Sequence, residues 1–456
     1  MTTGALAFLV SLAFVLIVLI VPVLTSPDYV AIYGPVSVLD SGQAVLLCAL
    51  IASLFVLLLC RFETDGEFLL RLFLAALLVR MLVGAAIFIF NVQAFFGGDA
   101  FTYDNFGYLQ FQGWMGDQHA QLVAQAYVNK AGTGWGMVYL VAAVYGLIGR
   151  NMLAIQLINA VLGAATAPVI FLSTRSVFEN TRVARLAALG VAFMPSLVLW
   201  SSQGLKDGPI MFFLALSILA TLKLSQKFSV KYLIVLISAL LCILSFRFYV
   251  FYMLVPAIAG TLVIGARTVT VLSVGRQFVL VVFLGLIMTL FGAIMGSRGH
   301  YETYGSLRVV QVYRLDAANS ARSGFGKEVN ISTAGGAVSA IPVGLVHLLF
   351  APFPWQLGSL RQAITMPEMF AWWVSFPMLV LGFWFSIKYR LRQVLPILIF
   401  TIMLTLAYSV FQGNIGNAYR QRAQLLIFYF IFTAVGYTLV REKKRERSPT
   451  SSRPAD

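Results

Sequence analysis

Charged residues are scarce in this sequence of 456 residues. Asp, Glu, Lys and Arg together make up only 11% of it, whereas 60% of it is hydrophobic. In soluble domains about a quarter of the residues are charged, so this shortage excludes a soluble globular protein. The composition instead predicts an all-α polytopic membrane protein.

Cysteine and histidine are also rare, with three of each. The cysteines lie in or at the ends of apolar runs, where a thiol behaves as a small hydrophobic group; they are Cys48, Cys60 and Cys242. The histidines are far apart and form no HxxH or HExxH motif; they are His119, His300 and His347. We therefore predict no disulfide, no metal site and no cofactor, although a divalent metal is not excluded.

Long apolar stretches are abundant. A bilayer core is crossed by about 20 apolar residues in a helix, and this criterion predicts about twelve transmembrane helices. They lie near residues 5–25, 43–60, 68–93, 151–173, 184–203, 208–224, 231–247, 248–266, 277–295, 369–387, 394–411 and 424–440. The first is too long for a secretory signal and lacks its cleavage site, so we expect it to be retained.

The distribution of Lys and Arg predicts the orientation. Four basic segments fall on one side of the predicted spans: TRSVFENTRVAR, KLSQKFSVK, KYRLR and the tail from about 441 to 456, which is predicted to be disordered. By the positive-inside rule this side is cytoplasmic and holds both termini. The same residues account for much of the net charge of +15 without a nucleic-acid partner. We expect a bacterial inner membrane, with the other face towards the periplasm or exterior.

Three connections on that other face are longer or more polar than hairpin loops, namely 94–150, 296–368 and 412–423. Long loops are where functional residues tend to concentrate. Within the first, residues 134–149 are apolar but too short for a confident span, which favours a helix lying on the outer surface. The stretch GAVSAIPVGLVHLLFAPFPW in the second loop is interpreted in the same way.

Positive charge is unexpectedly common on this outer face. It includes Lys206, Arg247, Arg298, Arg308, Arg314, Arg322, Lys327, Arg361, Arg420 and Arg422. Arginine forks match phosphate oxygens, so lipid or polyprenyl phosphates are the expected ligands. The alternative is that these side chains reach phospholipids or pair with outer carboxylates such as Asp207. Arg80 differs because it lies near the middle of the third span, where an ionisable residue usually faces the bundle interior.

A series of segments resembles a known family. They are LLRLFLAALLVRMLVG, GGDAFTYDNFGYLQF, GWGMVYLVAAVYGLIGRN, AIQLINAVLGAATAPVIFL, RSVFENTRVARLAAL and FMPSLVLWSSQGLKDGPIMFF. In this order they are similar to the amino-terminal half of the GT-C membrane glycosyltransferases, in the branch of protein O-mannosyltransferases and aminoarabinose transferases. The resemblance covers residues 67–266; spans within 1–66 precede it and spans within 267–440 follow it.

The resemblance implies roles for individual residues. Asp99 matches the aspartate of the family's first outer loop, Asp207 the acidic residue that begins a later span, and Arg247 a basic residue after a following span. The Asp-Glu pair of the mannosyltransferases is here Asp99-Ala100, so a second carboxylate would come from Asp104 or elsewhere, or be absent. Unlike that family, the protein is expected to lack a large soluble carboxy-terminal domain, so acceptor recognition is expected to use the membrane domain and the outer loops.

Sugar transfer from a polyprenyl phosphate needs a base for the acceptor hydroxyl and positive charge for the departing phosphate. With the resemblance, we predict Asp99 and Asp104 as catalytic residues. The alternative is that both cap a juxtamembrane helix, because Gly-Gly-Asp before a helical run is typical of an N-cap. The predicted phosphate-binding residues are Arg247, Arg420, Arg422, Lys206 and Arg80. Further substrate contacts are predicted for Tyr103, Asp207, Arg314 and Arg322.

The predicted function is therefore transfer of a sugar from a polyprenyl-phosphate donor to a lipid-linked or cell-surface glycan acceptor, with membrane lipids as further partners. One alternative is an O-antigen or exopolysaccharide repeat-unit polymerase that uses polyprenyl-diphosphate oligosaccharides. Another is a transporter or flippase, which is disfavoured because no inverted repeat is evident and few ionisable residues lie inside spans.

Overall fold

The computed structural model describes residues 1–62, 64–131, 135–264, 305–321 and 323–446, and these are almost entirely helical. Within these ranges the α-helices are α1 (Thr3–Leu24), α2 (Pro27–Tyr33), α3 (Val38–Leu59), α4 (Gly66–Ile89), α5 (Gln93–Gly97), α6 (Asp99–Trp114), α7 (Gln118–Ala131), α8 (Trp135–Ile148), α9 (Met152–Phe178), α10 (Thr181–Phe193), α11 (Pro195–Ser201), α12 (Asp207–Gln226), α13 (Val230–Phe246), α14 (Phe248–Ile264), α15 (Leu307–Asn319), α16 (Ala334–Phe350), α17 (Leu360–Phe411) and α18 (Ile415–Glu446). The predicted all-α polytopic fold is confirmed.

Seven of the described helices are long and apolar enough to cross a membrane, namely α1, α3, α4, α9, α12, α17 and α18. The bent pair α10 and α11 makes an eighth if it forms one span. Helices α8, α13, α14 and α16 are apolar but shorter. Eleven of the twelve predicted spans coincide with helices, and the predicted span 277–295 lies outside the described residues.

The predicted turn KYRLR between the spans 369–387 and 394–411 interrupts α17. Residues 360–411 form two helical segments on either side of Arg390, whose φ of −134° and ψ of 23° are not helical. The chain reverses at this turn, because the Trp372 ring and the Thr405 hydroxyl both contact Tyr429. One continuous helix would hold residues 372 and 405 about 50 Å apart.

The predicted span 184–203 is broken near its middle. Helices α10 and α11 meet at an angle of 55° between Phe193 and Pro195. Proline has no N–H and disfavours helical geometry in the preceding residue, and Met194 is accordingly extended. The break leaves the last carbonyls of α10 without partners in their own helix.

Helix α9 lies at the centre of the bundle. In its most apolar part 89% of the residues are buried, compared with 28% in α1 and in α3. Its sequence NAVLGAATAP is rich in small residues, which let neighbouring helices approach closely. Helices α1 and α3 are therefore peripheral, with one face against the bundle and the rest available to lipid.

Helices α17 and α18 pack in close contact through two glycines. A Cβ atom added at Gly382 would lie 1.8 Å from the backbone oxygen of Phe432, and one at Gly436 would lie 2.0 Å from that of Met378. A side chain at either position would separate the helices. The first residues of α17 and of α18 lie at the same end of the bundle, which is the end that holds the candidate site.

The two ends of the bundle carry different charged groups. At one end, Asp65, Arg175 and Lys223 surround a cavity of about 370 Å³. Gln226 Nε2 donates to Ser176 Oγ at 2.8 Å there, so the basic segments TRSVFENTRVAR and KLSQKFSVK share one end, as predicted. The assignment of that end to the cytoplasm stays a prediction. The other end carries Asp99 and is called the Asp99 end below.

The predicted outer-surface helix over residues 134–149 is present as α8, but it does not lie free on a surface. Met137, Val138, Val141 and Tyr145 are buried. Gly107 of α6 approaches so closely that an added Cβ would lie 2.4 Å from Val141. Helix α8 therefore supports α6, the helix that begins with Asp99.

Candidate functional site

A cavity of about 620 Å³ opens at the Asp99 end. Segments far apart in the sequence line it: the start of α6, the end of α11, the segment after α15, and the beginnings of α17 and α18. Its charged residues are Asp99, Arg361 and Arg420, its aromatic residues are Phe96, Trp200 and Tyr419, and its polar residues include Ser320, Ser323, Ser359, Gln362, Thr365, Asn414 and Asn417. We call it the Asp99 cavity.

A continuous chain of ion pairs leads from this cavity into the bundle. Arg420 Nη1 donates to Asp99 Oδ2 at 2.6 Å, and Arg420 Nε donates to Asp207 Oδ2 at 2.8 Å. Asp207 Oδ1 then accepts from Arg247 Nη2 at 3.2 Å. Four residues predicted from the sequence are thus in direct contact, although they come from four separate parts of the chain. We call them the ion-pair chain.

The two carboxylates of the ion-pair chain differ in exposure. The Asp207 side chain is 1% exposed, whereas that of Asp99 is 56% exposed. A buried carboxylate between two guanidiniums is a fixed anchor, because leaving either charge unpaired in the interior is costly. Asp99 is the member of the chain that solvent and substrates can reach.

Helix geometry sets the position of Asp99. It is the first residue of α6, and the N-cap is Gly98, which makes no side-chain capping bond. A negative charge in the first turn is favourable with the helix dipole, but the carboxylate hydrogen-bonds to Arg420. The predicted alternative, in which Asp99 serves as the helix cap, is therefore not the arrangement observed.

A buried amide network fixes the loop that precedes Asp207. Gln93 Nε2 donates to Gln203 Oε1 at 2.7 Å, and Gln156 Nε2 donates to Gln93 Oε1 at 2.8 Å. Asn159 Nδ2 donates to the backbone oxygens of Gln203 and Leu205 at 2.5 and 2.6 Å. This network was not predicted, although the polar side chains of Gln156 and Asn159 inside the predicted span 151–173 were a signal for it.

Asp104 lies in a separate cluster. It is 2% exposed, accepts a hydrogen bond from Tyr145 Oη at 2.5 Å and pairs with Arg150. The Arg150 guanidinium also lies 4.7 Å from the ring centroid of Tyr108. These contacts join α6 to α8, and Asp104 does not line the Asp99 cavity. The structure therefore does not bring Asp104 together with Asp99, and its catalytic role stays a prediction.

Arg80 bonds to the broken span and not to the ion-pair chain. Its Nη1 donates to the backbone oxygen of Ala192 at 2.7 Å, its Nη2 to that of Val191 at 3.3 Å, and its Nε to Ser201 Oγ at 2.8 Å. These are carbonyls of the last turn of α10, which the break at Met194 leaves unpaired. Arg80 thus holds the break together and is 1% exposed.

Arg422 has a similar environment. It is 1% exposed, and its Nη1 contacts the backbone oxygens of Leu348, Leu349 and Ala351 at 3.0 to 3.3 Å. These carbonyls end α16. The structure therefore separates Arg422 from Arg420, and a phosphate contact by Arg80 or Arg422 stays a prediction that no observed contact favours.

Lys206 and Tyr103 lie beside the ion-pair chain. Lys206 Nζ is 6.0 Å from the ring centroid of Tyr103. Burial and the neighbouring Arg247 lower the pKa of Lys206 to about 7, while burial and Asp99 raise the pKa of Tyr103. Lys206 is therefore a cation whose charge depends on pH near neutrality.

The two remaining predicted contacts have different outcomes. Arg314 is 2% exposed and donates from Nη1 to the backbone oxygen of Val329 at 3.0 Å. That bond ties α15 to the segment that follows it. Arg322 lies outside the described residues.

Two residues at this end were missed as site residues. Arg361 was counted among the outer cations only, yet it lines the cavity, with its guanidinium 5.4 Å from the Phe95 ring centroid. Glu368 is 6% exposed and accepts hydrogen bonds from Ser196 N at 2.7 Å and Tyr419 Oη at 3.0 Å. A lone carboxylate in the apolar run MPEMFAWW was the available signal.

Metal ligands do not cluster in the part of the chain that the structure describes. No group of three or more His, Cys, Asp or Glu side chains is placed there to hold a metal ion. Of the described residues, the charged ones that line the Asp99 cavity are two arginines and one carboxylate.

Fold and site together define a class: a polytopic helical membrane protein with a polar cavity at one end of its bundle, where an accessible carboxylate meets arginines. Residues 135–291 match the sequence profile of the family described as dolichyl-phosphate-mannose-protein mannosyltransferase. This match supports a membrane glycosyltransferase of the GT-C type, the class that the sequence resemblance predicted.

The match covers about a third of the chain and includes Lys206, Asp207 and Arg247, whereas Asp99, Arg361 and Arg420 lie outside it. No curated protein matches the sequence. Among solved structures, the apo oligosaccharyltransferase of Archaeoglobus fulgidus is similar over 87% of this chain and 54% of its own, at 13% identity and a TM-score of 0.46. The chain thus spans about half the length of that protein.

Proposed function

We propose that this protein transfers a sugar from a polyprenyl-phosphate donor to a lipid-linked or cell-surface glycan acceptor, with Asp99 as the general base. One observation carries the proposal: the Asp99 cavity holds an accessible carboxylate in contact with Arg420, and Arg361 lines the same cavity. A base beside a phosphate-binding cation is what sugar transfer from a phosphate requires.

The proposed reaction assigns each group a task. Asp99 takes the proton of the acceptor hydroxyl while that oxygen forms a bond to the anomeric carbon of the sugar. The bond between the anomeric carbon and the phosphate oxygen breaks, and its electron pair leaves with the polyprenyl phosphate. Positive charge builds up on the sugar ring in the transition state, and the arginines stabilise the negative charge on the departing phosphate.

The other lining residues suit a carbohydrate. Asparagine, glutamine, serine and threonine side chains can donate to and accept from sugar hydroxyls, and the cavity contains all four types. Trp200 and Tyr419 supply aromatic surface, with ring centroids 6.4 Å apart. Sites for small molecules commonly combine such apolar surface with a few convergent polar groups.

The proposed location follows from the orientation predicted from basic residues. The Asp99 end faces the periplasm or exterior of a bacterial inner membrane, and both termini are cytoplasmic. In this arrangement the prenyl tail of the donor stays in the bilayer while the acceptor arrives from the aqueous side. A base at the end of the bundle is then within reach of both.

The test is an assay of sugar transfer by the purified, reconstituted protein. Asp99→Asn keeps the size of the side chain and can still accept a hydrogen bond, but it cannot take a proton. We expect transfer to fall by about two to four orders of magnitude, the usual contribution of a general base. Asp28→Asn is the matched control, because Asp28 is exposed and does not line the cavity.

Two results would overturn the proposal. One is transfer by Asp99→Asn at close to the wild-type rate. The other is activity with polyprenyl-diphosphate oligosaccharides only, which would make the protein a repeat-unit polymerase.

A further inference from the structure

One oxygen of the Asp99 carboxylate is already hydrogen-bonded. Arg420 Nη1 donates to Asp99 Oδ2 at 2.6 Å. A charge-assisted hydrogen bond of this length is among the strong ones in proteins. While the guanidinium remains in place, it orients the carboxylate and competes with an acceptor hydroxyl for Oδ2.

Arg420 is built so that it can release Asp99 without being lost from the site. Its opposite edge is held by Asp207, which accepts a hydrogen bond from Nε at 2.8 Å and lies 2.6 Å from Nη2. Asp207 is buried and is itself fixed by Arg247. One edge of the guanidinium is thus anchored in the interior, whereas Nη1 holds a carboxylate that is 56% exposed.

The cavity offers a place for the group that would displace Asp99. Arg361 lines the same cavity as Arg420, its side chain is exposed, and no described carboxylate lies within ion-pair distance of it. A phosphate at Arg420 Nη1 would receive a charge-assisted hydrogen bond from it, and Arg361 adds positive charge to the same cavity. An anion arriving there competes with the Asp99 carboxylate for the same guanidinium hydrogen.

We propose that the phosphate of the polyprenyl donor competes with Asp99 for Nη1 of Arg420, so that binding of the donor releases the base. This inference rests on the proposed function and adds an order to it: Arg420 holds one oxygen of Asp99 until the donor phosphate is in place, and both oxygens are then available to the acceptor hydroxyl.

The experiment measures binding of sugar-free polyprenyl phosphate to the purified full-length protein at fixed pH and salt. Asp99→Asn removes the competing charge, so the affinity should rise about three- to tenfold, in line with an accessible charge-assisted contact. Asp28→Asn should leave the affinity unchanged. An unchanged or weaker affinity of Asp99→Asn, in protein that melts at the wild-type temperature, would overturn the inference.

A double-mutant cycle locates the effect at Arg420. In an Arg420→Gln background the gain from Asp99→Asn should disappear, because the guanidinium for which the two anions compete is absent. A gain that persists in this background would show that Asp99 repels the phosphate without competing for Arg420, and would also overturn the inference.

Two further comparisons separate possible causes. Phosphatidylglycerol also presents a phosphate group. If Asp99→Asn raises the affinity for phosphatidylglycerol as much as that for polyprenyl phosphate, the site binds bilayer phospholipid and not a donor. Activity distinguishes this inference from the proposed function. Loss of transfer in Asp99→Asn without a gain in binding rejects the competition alone, whereas retained transfer rejects the base itself.

Discussion

Arg420 and Arg422 are two residues apart on one helix, yet they have opposite environments. Arg420 bonds to two carboxylates at the Asp99 cavity, whereas Arg422 bonds to three backbone oxygens at the end of α16. Residues two apart on a helix point in directions about 160° apart. Their neighbourhoods are therefore set by different sides of the bundle.

The contrast extends to the other arginines. Arg247 shares Asp207 with Arg420, while Arg80 bonds to carbonyls freed by the break before Pro195. A guanidinium paired with a carboxylate can exchange that partner for a phosphate of the same charge. A guanidinium that donates to several carbonyls at a helix end replaces missing backbone hydrogen bonds. Removing it would leave those carbonyls unpaired and would not affect a ligand-binding site. The sequence shows a positively charged arginine in both cases. Its role depends on whether its partner in the fold is a carboxylate or a backbone carbonyl.

The largest expected effect separates these two groups by activity. Arg420→Lys keeps the charge but not the fork that reaches Asp99 and Asp207 together. Transfer by the reconstituted protein should fall about 100-fold, since lost transition-state contacts to a charged group cost roughly 2–3 kcal/mol. Arg71→Lys is the control, because Arg71 pairs with Glu67 on an exposed surface. Equal activity of the two variants would place Arg420 with the structural arginines.

The next effect should appear in stability. Arg422→Gln leaves buried carbonyls at the end of α16 without their donor, and we expect a loss of about 2 kcal/mol in folding free energy. Thermal unfolding in detergent should therefore shift to lower temperature, while transfer per folded molecule stays within a few-fold of wild type. A variant that melts normally but has lost donor binding would make Arg422 part of the phosphate site.

The sequence located the helices well and the partners of polar residues poorly. The length of the apolar stretches alone placed eleven predicted spans on observed helices, because a helix needs about 20 apolar residues to cross a bilayer. The resemblance and the excess of outer arginines pointed to Asp99, Asp207, Arg247 and Arg420, and these four residues are in contact. What a side chain bonds to depends on the other helices, and no spacing within one segment records that.

Some of the discrepancies had a signal in the sequence. Asp99 and Asp104 are five residues apart, which is about 140° around a helix. Once α6 is assigned as a helix, the two carboxylates must face different neighbours, and Asp104 indeed pairs with Arg150 and Tyr145. Pro195 inside a predicted span likewise implied freed carbonyls, for which the intramembrane Arg80 was the obvious donor. The break in α17 at Arg390 had a signal that was used, because the charged stretch KYRLR separates two apolar runs.

The smallest expected effect concerns Lys206, which stands beside the ion-pair chain with a pKa lowered to about 7 by burial and by Arg247. It is charged below pH 7 and neutral above. A bound phosphate favours the charged form, so the contribution of Lys206 to the affinity for polyprenyl phosphate should be greatest below pH 7 and should decline as the pH rises towards 8.5. The decline is up to about tenfold, since one unit of pKa change on binding corresponds to a tenfold change in affinity.

Lys206→Met isolates this contribution, because the phosphate of the ligand titrates equally in both proteins. The difference between wild type and Lys206→Met should be largest at pH 6 and should vanish by pH 9, as measured by binding at constant ionic strength. A difference that does not change with pH would mean that Lys206 keeps a constant charge. Its side chain would then act by packing against Tyr103, and the cations that respond to the donor would be the arginines of the cavity alone.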